Sequence, residues 1–367
     1  MAPRPELIHV VGGMRWGGPQ RYALDICRHF SAEGWKVTAF TLDARAVDLP
    51  FEEARVRLRH APLSGMLDIP SAIMLARMMR RIPVGMGVVH TGRFRDAFIA
   101  LLARKIARRK DIRVVHTAHS MVRGRDTALA RRTYRNLDAI IFPSRQAALR
   151  FRSTWSDRNL PIPFPERLLK VIHPSLLIQN PGMSPEPERG PVVAMFHGPL
   201  TPGKGIETLI DALPLLGDVK LRLRLVGTGD PDYVDSLRRR AQARGVMEMI
   251  DWKKYTPDPL PLIAESHFGV LPSVKEEALG MANMEYMAYG RPQICCGRGS
   301  QREYLTDSEE ALIVPPGDAT ALADAMRQLA VSSDLRRRLG ANALDTFTSR
   351  LAWPHFIARL TPLYLPS

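Results

Sequence analysis

The chain has 367 residues, a hydrophobic content of 45% and a formal charge of +15. That length exceeds one ordinary domain and suits two α/β domains, each able to bury its own core. No apolar run reaches the roughly 20 residues of a membrane-spanning helix, and three cysteines, Cys27, Cys295 and Cys296, argue for buried thiols over a disulfide framework or a zinc site.

Residues 1–6 run directly into a strand-like segment, so no signal peptide is expected and a reducing cytosol is the expected compartment. Strands are predicted at 7–11, 36–42, 88–90, 113–116, 139–142 and 169–173, with helical patterns between most of them. A polar, proline-rich passage at 180–190 then reads as a linker. The alternation restarts with strands predicted at 192–196, 221–226, 249–252, 268–271, 293–296 and 311–314. Strands alternating with helices imply parallel sheets covered on both faces, here two successive Rossmann-like, doubly wound units. Ligands of such sheets bind outside the carboxyl ends of the strands, so a cleft between the two units is the expected site.

Charge divides along the same line. Residues 1–180 hold 31 Lys and Arg against 14 Asp and Glu, a balance of +17, and the remainder holds 21 against 23, or −2. An anionic partner is therefore expected for the first half alone. Two stretches, 71–81 and 97–110, follow apolar residues with a basic end, the pattern of helices lying on an anionic membrane surface. Each also reads as an ordinary packed helix with a solvated basic end. No nucleic-acid module accompanies the charge, and no nucleic acid is expected.

The densest chemistry lies at 273–292. Gly280 permits close approach of backbone to ligand, and a helix beginning there, ended by Gly290 and Pro292, turns free N–H groups towards an anion. Glu277 precedes that helix and Glu285 lies within it. Carboxylates accept hydrogen bonds from pairs of sugar hydroxyls. By itself the pair reads more readily as two solvated glutamates on a surface helix.

Glu277 and Glu285, with Gly280 between and Gly290-Arg291-Pro292 after, resemble the signature of retaining glycosyltransferases of family 4, which have the GT-B fold. The loop from Phe196 through Gly198, Gly203, Lys204 and Gly205, the turn Gly227-Thr228-Gly229 and the segment Val314-Pro315-Pro316-Gly317-Asp318 resemble further motifs of that family. In the first half, Gly12-Gly13-Met14-Arg15-Trp16-Gly17-Gly18 and the 138–144 segment do the same.

The resemblance implies two facing Rossmann-like domains: an acceptor domain at 1–180, onto which a helix at about 355–367 packs back, and a nucleotide-sugar domain at 190–354. It implies a hexosyltransferase of EC 2.4 class using a UDP- or GDP-sugar, with no metal and no other cofactor. Glu277, Lys204 and His119 are the implied catalytic residues. Gly17, Gly18, Arg15, Gly198, Leu279, Gly280, Met281 and Glu285 are implied to bind the donor. In detail, Lys204 and the amides of Leu279, Gly280 and Met281 stabilise the departing diphosphate. Glu285 takes the ribose, Glu277 takes sugar hydroxyls, and Gly17 and Gly18 let the first loop close on the diphosphate.

His119 matches a family histidine beside the donor sugar, and it also reads as a structural imidazole. With His116 it has the spacing of a metal pair, but no third ligand is apparent. Two positions depart from the family pattern. Pro199 stands where an arginine is usual, removing one guanidinium from the phosphate loop, for which Arg15 is the candidate substitute. His173-Pro174-Ser175 replaces an asparagine-glycine turn.

The expected acceptor is a lipid-linked or membrane-presented glycan of envelope polysaccharide or lipopolysaccharide assembly, the chain sitting in the cytoplasm or peripherally on the inner face of the plasma membrane. A nucleotide-sugar epimerase and a weakened, non-catalytic nucleotide-sugar-binding relative remain as alternatives. A dinucleotide oxidoreductase fits poorly, because the glycines lack the G-x-G-x-x-G spacing.

Overall fold

The computed structural model describes residues 4–178, 180–187, 190–256, 258–278 and 280–365. The chain divides into one unit of Met1–Leu177 with Pro354–Ser367 and a second of Ile178–Trp353. Each is a parallel sheet wrapped by helices.

The first unit runs β1 (Glu6–Val11), α1 (Gly18–Ala32), β2 (Lys36–Thr41), α2 (Arg45–Glu53), β3 (Arg57–His60), α3 (Ile69–Met79), β4 (Gly87–Thr91), α4 (Phe94–Ala107), β5 (Arg113–Thr117), α5 (Ala128–Arg135), β6 (Ala139–Phe142), α6 (Arg145–Ser156) and β7 (Leu169–Val171). Its strands pair in parallel in the order β3-β2-β1-β4-β5-β6-β7. The central strands β4 and β6 are buried along their whole length, as a sheet covered on both faces requires. Asp68, Thr127 and Ser144 start α3, α5 and α6 by accepting hydrogen bonds from first-turn amides. All six strands expected here form. The seventh, β3, escaped the hydrophobic pattern because it is an edge strand whose Arg57, Arg59 and His60 stay exposed.

The second unit runs β8 (Val192–His197), α7 (Ile206–Ala212), β9 (Leu221–Val226), α8 (Pro231–Ala243), β10 (Ile250–Lys253), α9 (Leu260–Ala264), β11 (Phe268–Leu271), α10 (Met281–Ala288), β12 (Gln293–Cys295), β13 (Ala311–Ile313), α11 (Ala319–Val331) and α12 (Ser333–Thr346). Its order is β10-β9-β8-β11-β12-β13, again parallel. Each sheet reverses its winding direction between its first strand and its fourth, at β1/β4 and at β8/β11. Loops leaving the carboxyl ends there form the ligand crevice of a doubly wound fold.

The passage expected as a linker is fastened to the second unit. Gly182 N donates to Ala288 O at 2.9 Å and Ser184 N to Tyr289 O at 3.1 Å. Arg291, almost wholly buried, donates to Pro185 O at 2.7 Å and Ala264 O at 2.6 Å, and Arg336 forks onto both oxygens of Glu186. A buried guanidinium must find acceptors, and the proline-rich segment presents its carbonyls for that purpose.

The last helix, α13 (Trp353–Tyr364), returns to the first unit. Phe356 meets the Tyr22 ring edge-on at 5.6 Å, and the Tyr364 hydroxyl hydrogen-bonds His90 Nδ1. The three cysteines are free and buried, and burial pushes the thiols of Cys295 and Cys296 up to about 12 and about 11. Among the described residues no helix is long and apolar enough to cross a membrane.

Candidate active site

In the second unit the loop after β8 carries Lys204 between two glycines. Gly205 has φ +73°, and a Cβ there would lie 1.9 Å from Pro272 O, so only glycine lets this loop lie against the end of β11. The contact brings the lysine to the carboxylate. Lys204 Nζ donates to Glu277 Oε1 at 2.6 Å, and Ser273 Oγ donates to the same oxygen at 2.6 Å. Sequence reasoning assigned Lys204 to phosphate and Glu277 to sugar. The structure makes them an ion pair and adds Ser273, whose signal was its place four residues before Glu277 at a strand end.

Gly280 is the N-cap of α10, with φ +75° and no side-chain cap among the described residues, and no acidic residue stands in the first turn. The amides at the start of this helix, at Gly280 and Met281, thus lack a side-chain cap, the arrangement that suits an anion. Leu279 lies outside the described residues. Gly198, φ +144°, closes the start of the β8 loop against Gly227.

Glu285, on the second turn of α10, lies 2.5 Å from His197 Nε2, and His197 Nδ1 lies 2.8 Å from the Tyr286 hydroxyl. That hydroxyl donates to Met195 O at 2.8 Å. A chain of hydrogen bonds thus holds the glutamate from the last residue of β8. His197 and Tyr286 were not among the expected site residues; the histidine closing β8 was their visible signal. Pro199 is exposed in the same loop.

In the first unit the glycine loop after β1 divides in two. A Cβ on Gly12 would lie 2.5 Å from the buried carboxylate of Asp96, and one on Gly13 would lie 2.5 Å from the Arg93 guanidinium. Those glycines serve packing. A Cβ on Gly17 would meet only Gln20 Oε1 at 3.6 Å. Gly17 caps α1 without a side-chain hydrogen bond, Gly18 is the first residue of that helix, and Arg15 is exposed. Its amide end is thus also open.

His119 follows β5, half-buried, with its ring edge-on to Tyr22 at 4.9 Å and its Nε2 beside Gly92. Burial holds its pKa down to about 3, so the ring is neutral. Around it stand three buried histidines. His9 stacks on His90 at 4.6 Å, and neither ring nitrogen of His9 has a partner among the described residues. His90 Nε2 bonds Thr117 Oγ1 at 2.7 Å, and Thr117 in turn bonds the Tyr22 hydroxyl at 3.2 Å. His116 Nδ1 lies 3.1 Å from both Thr91 O and Thr91 Oγ1. Burial lowers His9 to about 3 and His116 to about 4, and takes His90 well down. His116 is thus occupied by Thr91.

Among the described residues the one convergent set of metal-capable groups is Asp43, Asp48 and His60 at the ends of β2 and β3. Asp48 there already accepts from Thr41 Oγ1 and Ala44 N and pairs with His60.

Both halves match family models: residues 16–174 match Glycosyltransferase Family 4, and residues 183–346 match Glycosyl transferases group 1. The O-antigen chain mannosyltransferase C of Escherichia coli is 23% identical over 362 residues, 95% of this chain and 94% of that protein. The lipopolysaccharide core biosynthesis glycosyltransferase LpsE of Rhizobium meliloti (strain 1021) is 30% identical over 166 residues, 45% of this chain and 47% of that one. Among solved structures, Anabaena HepE, crystallised with UDP and glucose, superposes with a TM-score of 0.81 at 17% identity over 98% of each chain. The sucrose-phosphate synthase of Thermosynechococcus elongatus gives 0.72 at 19% over the same shares. The two parallel Rossmann-like sheets are those of the GT-B fold. With one family model on each half and full-length likeness to sugar-transferring enzymes, the chain belongs to the family 4-type glycosyltransferases of GT-B fold and is a transferase of EC 2.4 class.

Proposed function

We propose that the protein moves a sugar from a nucleoside diphosphate donor to a hydroxyl of a lipid-linked or membrane-presented glycan, with retention of anomeric configuration. The observation that carries the donor site is the Lys204–Glu277 pair beside the open amide end of α10, at the reversal point of the second sheet. A diphosphate entering there offers Lys204 a stronger anionic partner. Glu277, released from the lysine, then accepts from the donor's sugar hydroxyls, while Ser273 keeps its carboxylate in place. As the glycosidic bond breaks, negative charge grows on the terminal phosphate, and Lys204 with the amides of Gly280 and Met281 neutralises it without a metal ion. Glu285, steadied by His197, accepts from the ribose hydroxyls. The departing phosphate takes the acceptor's proton, which delivers the new bond to the same face.

The first unit binds the acceptor, with Gly17, Gly18 and Arg15 forming an anion-binding loop at the open end of α1 and the neutral His119 offering a single hydrogen bond. Its surplus of cations favours an acceptor at an anionic membrane, and we place the enzyme peripherally on the cytoplasmic face. Among its relatives, one is a phosphatidyl-myo-inositol mannosyltransferase of Mycobacterium leprae, 29% identical over half of each chain, which supports a lipid-borne acceptor. Another is GDP-mannose-dependent, whereas HepE was solved with UDP, so both bases belong in the test.

That test is a thermal-shift screen with UDP, GDP, ADP and TDP and their common sugar conjugates. A ligand confined to the folded state adds about 2.7 kcal/mol at a hundredfold excess over its Kd. A shift with one nucleotide family, lost in Glu285→Ala, is expected. No shift with any of them overturns the donor assignment.

A further inference from the structure

The surplus cations of the first unit are not evenly spent. Many arginines there are already paired: Arg21 with Asp25, Arg95 with Asp96, Arg104 with Asp138, Arg109 with Asp111. Arg104 also donates to Ile112 O and Asn136 O, and Arg80 donates to Ile106 O. At the basic end of α4, which reads from sequence either as a membrane-facing surface or as an ordinary packed helix end, Arg104 and Arg109 are therefore spent on the fold. Four arginines differ. Arg57, Arg59, Arg77 and Arg81 line one surface pocket of about 260 Å³ together with Met74 and Met78. No ion pair or hydrogen bond joins any of the four side chains to another group among the described residues.

Two periodicities build the pocket. Arg57 and Arg59 alternate onto one face of the edge strand β3, and Met74, Arg77, Met78 and Arg81 recur at helical spacing along α3 and just beyond its end. The methionines pack their inner sides on the core of the unit. Clustering four like charges costs folding free energy, and among the described residues no carboxylate pairs with them to offset it. Guanidiniums match the tetrahedral oxygens of a phosphate through forked hydrogen bonds, and a concave set of four suits one doubly coordinated phosphate group better than a diffuse countercharge. The residues differ from those of the glycine loop and from His119, so this is not the donor or acceptor position. Next to it, on the solvent side of the same helix, Ile69 and Ile73 are exposed, and Leu67 just ahead of the helix is 73% exposed. Apolar side chains outside, beside guanidiniums in a pocket, are the two contacts that a phospholipid surface offers together.

We infer that Arg57, Arg59, Arg77 and Arg81 form a binding pocket for the phosphate of an anionic membrane phospholipid, with Ile69 and Ile73 entering the headgroup layer. This rests on the peripheral-membrane reading above and names its site. It predicts a localised, saturable contact in place of general attraction by charge.

The test is flotation of the full chain with phosphatidylglycerol–phosphatidylcholine vesicles at 0.15 M salt, with pure phosphatidylcholine as the reference. Two variants of equal charge are compared: R57Q/R59Q/R77Q/R81Q in the pocket, and R28Q/R132Q/R150Q/R167Q on exposed surface elsewhere in the unit. Binding by wild type and by the surface variant, weakened about a hundredfold in the pocket variant, is the expected result. Equal loss in both variants overturns the pocket and leaves diffuse attraction, and pocket-variant binding equal to wild type overturns it outright. Absence of wild-type binding removes the membrane reading itself. A saturable thermal shift with glycerol 3-phosphate, and no vesicle binding, overturns the lipid as occupant. Donor hydrolysis by the pocket variant at the wild-type rate shows that the variant is folded.

Discussion

The two units share a strand order but hold their candidate site residues by opposite means. In the second, two pairs hold the residues, Lys204 with Glu277 by charge and His197 with Glu285 by a short polar contact. In the first, His9, His90 and His116 are enclosed in the unit with neutral partners only, and burial keeps them neutral. A site held by charge can trade its internal partner for a charged ligand. One held by burial keeps its geometry through a reaction but cannot accept a proton without losing stability.

Acid separates the two most strongly. An imidazole buried neutral contributes stability that is fully present above its unfolded value of 6.5 and is lost as the pH falls towards its folded value, about 3 for His9 and about 4 for His116. Each such histidine removes up to about 1.4 kcal/mol per pH unit in that window. The buried carboxyls of Asp25 and Asp96, raised by burial, act in the opposite sense. His9→Leu isolates the term. It deletes a buried ring without hydrogen-bond partners and is expected to stabilise by about 1–3 kcal/mol at pH 7. It also flattens the urea-derived stability slope between pH 6.5 and 5 by one histidine's share. An unchanged slope would show that His9 is not held neutral.

Lys204→Ala tests the charged unit. Losing one preorganised donor to the leaving phosphate lowers kcat by about 10²–10³-fold, with the melting temperature little changed. A fall in kcat of less than threefold would break the contrast. His197→Ala removes the strut beneath Glu285 and is expected to raise the donor KM about tenfold while kcat moves little. Rescue by His197→Gln would show that the strut acts through a hydrogen bond, and equal kcat and KM effects would show that it acts at the chemistry instead.

The smallest contrast lies between two glycines. Gly280→Ala puts a Cβ 2.4 Å from Asn283 Oδ1 in a left-handed residue and should cost about 1–2 kcal/mol in chemical denaturation. Gly17→Ala makes only an ordinary contact with Gln20 Oε1 at 3.6 Å, so stability stays within about 0.5 kcal/mol. Transfer should still slow if ligand approaches that backbone. Full activity in Gly17→Ala would take the loop out of the site.

Twelve of the thirteen strands could be read from the chain, the buried ones such as β6 and β11 as short apolar runs. β3 could not, since Arg57-Leu58-Arg59-His60 holds a single apolar side chain, whereas β9, which also alternates leucine with arginine, buries Leu221, Leu223 and Leu225 and ends on a buried Val226. Glu277, Gly280 and Glu285 were visible through a spacing tied to one helix start. Partners brought in by the crossover topology were not: Lys204 lies 73 residues before Glu277, and His197 lies 88 before Glu285. Nothing in the local pattern of either segment announces the other. The amphipathic stretch 97–110 read either as a membrane contact or as a packed helix because Arg104 was visible and its partners, the distant Asp138 and the Ile112 and Asn136 carbonyls, were not.

The return of α13 to the first unit sets an order of events during synthesis. Residues 4–177 leave the ribosome with His90 lacking its Tyr364 hydroxyl and with one edge of Tyr22 uncovered by Phe356. The second unit, continuous in sequence, can close first, although it is made later. The nascent first unit waits, with a greasy seam open, until the final eleven residues of α13 emerge. A peptide of residues 354–365 supplied to a ribosome stalled before them should therefore protect that seam from proteolysis.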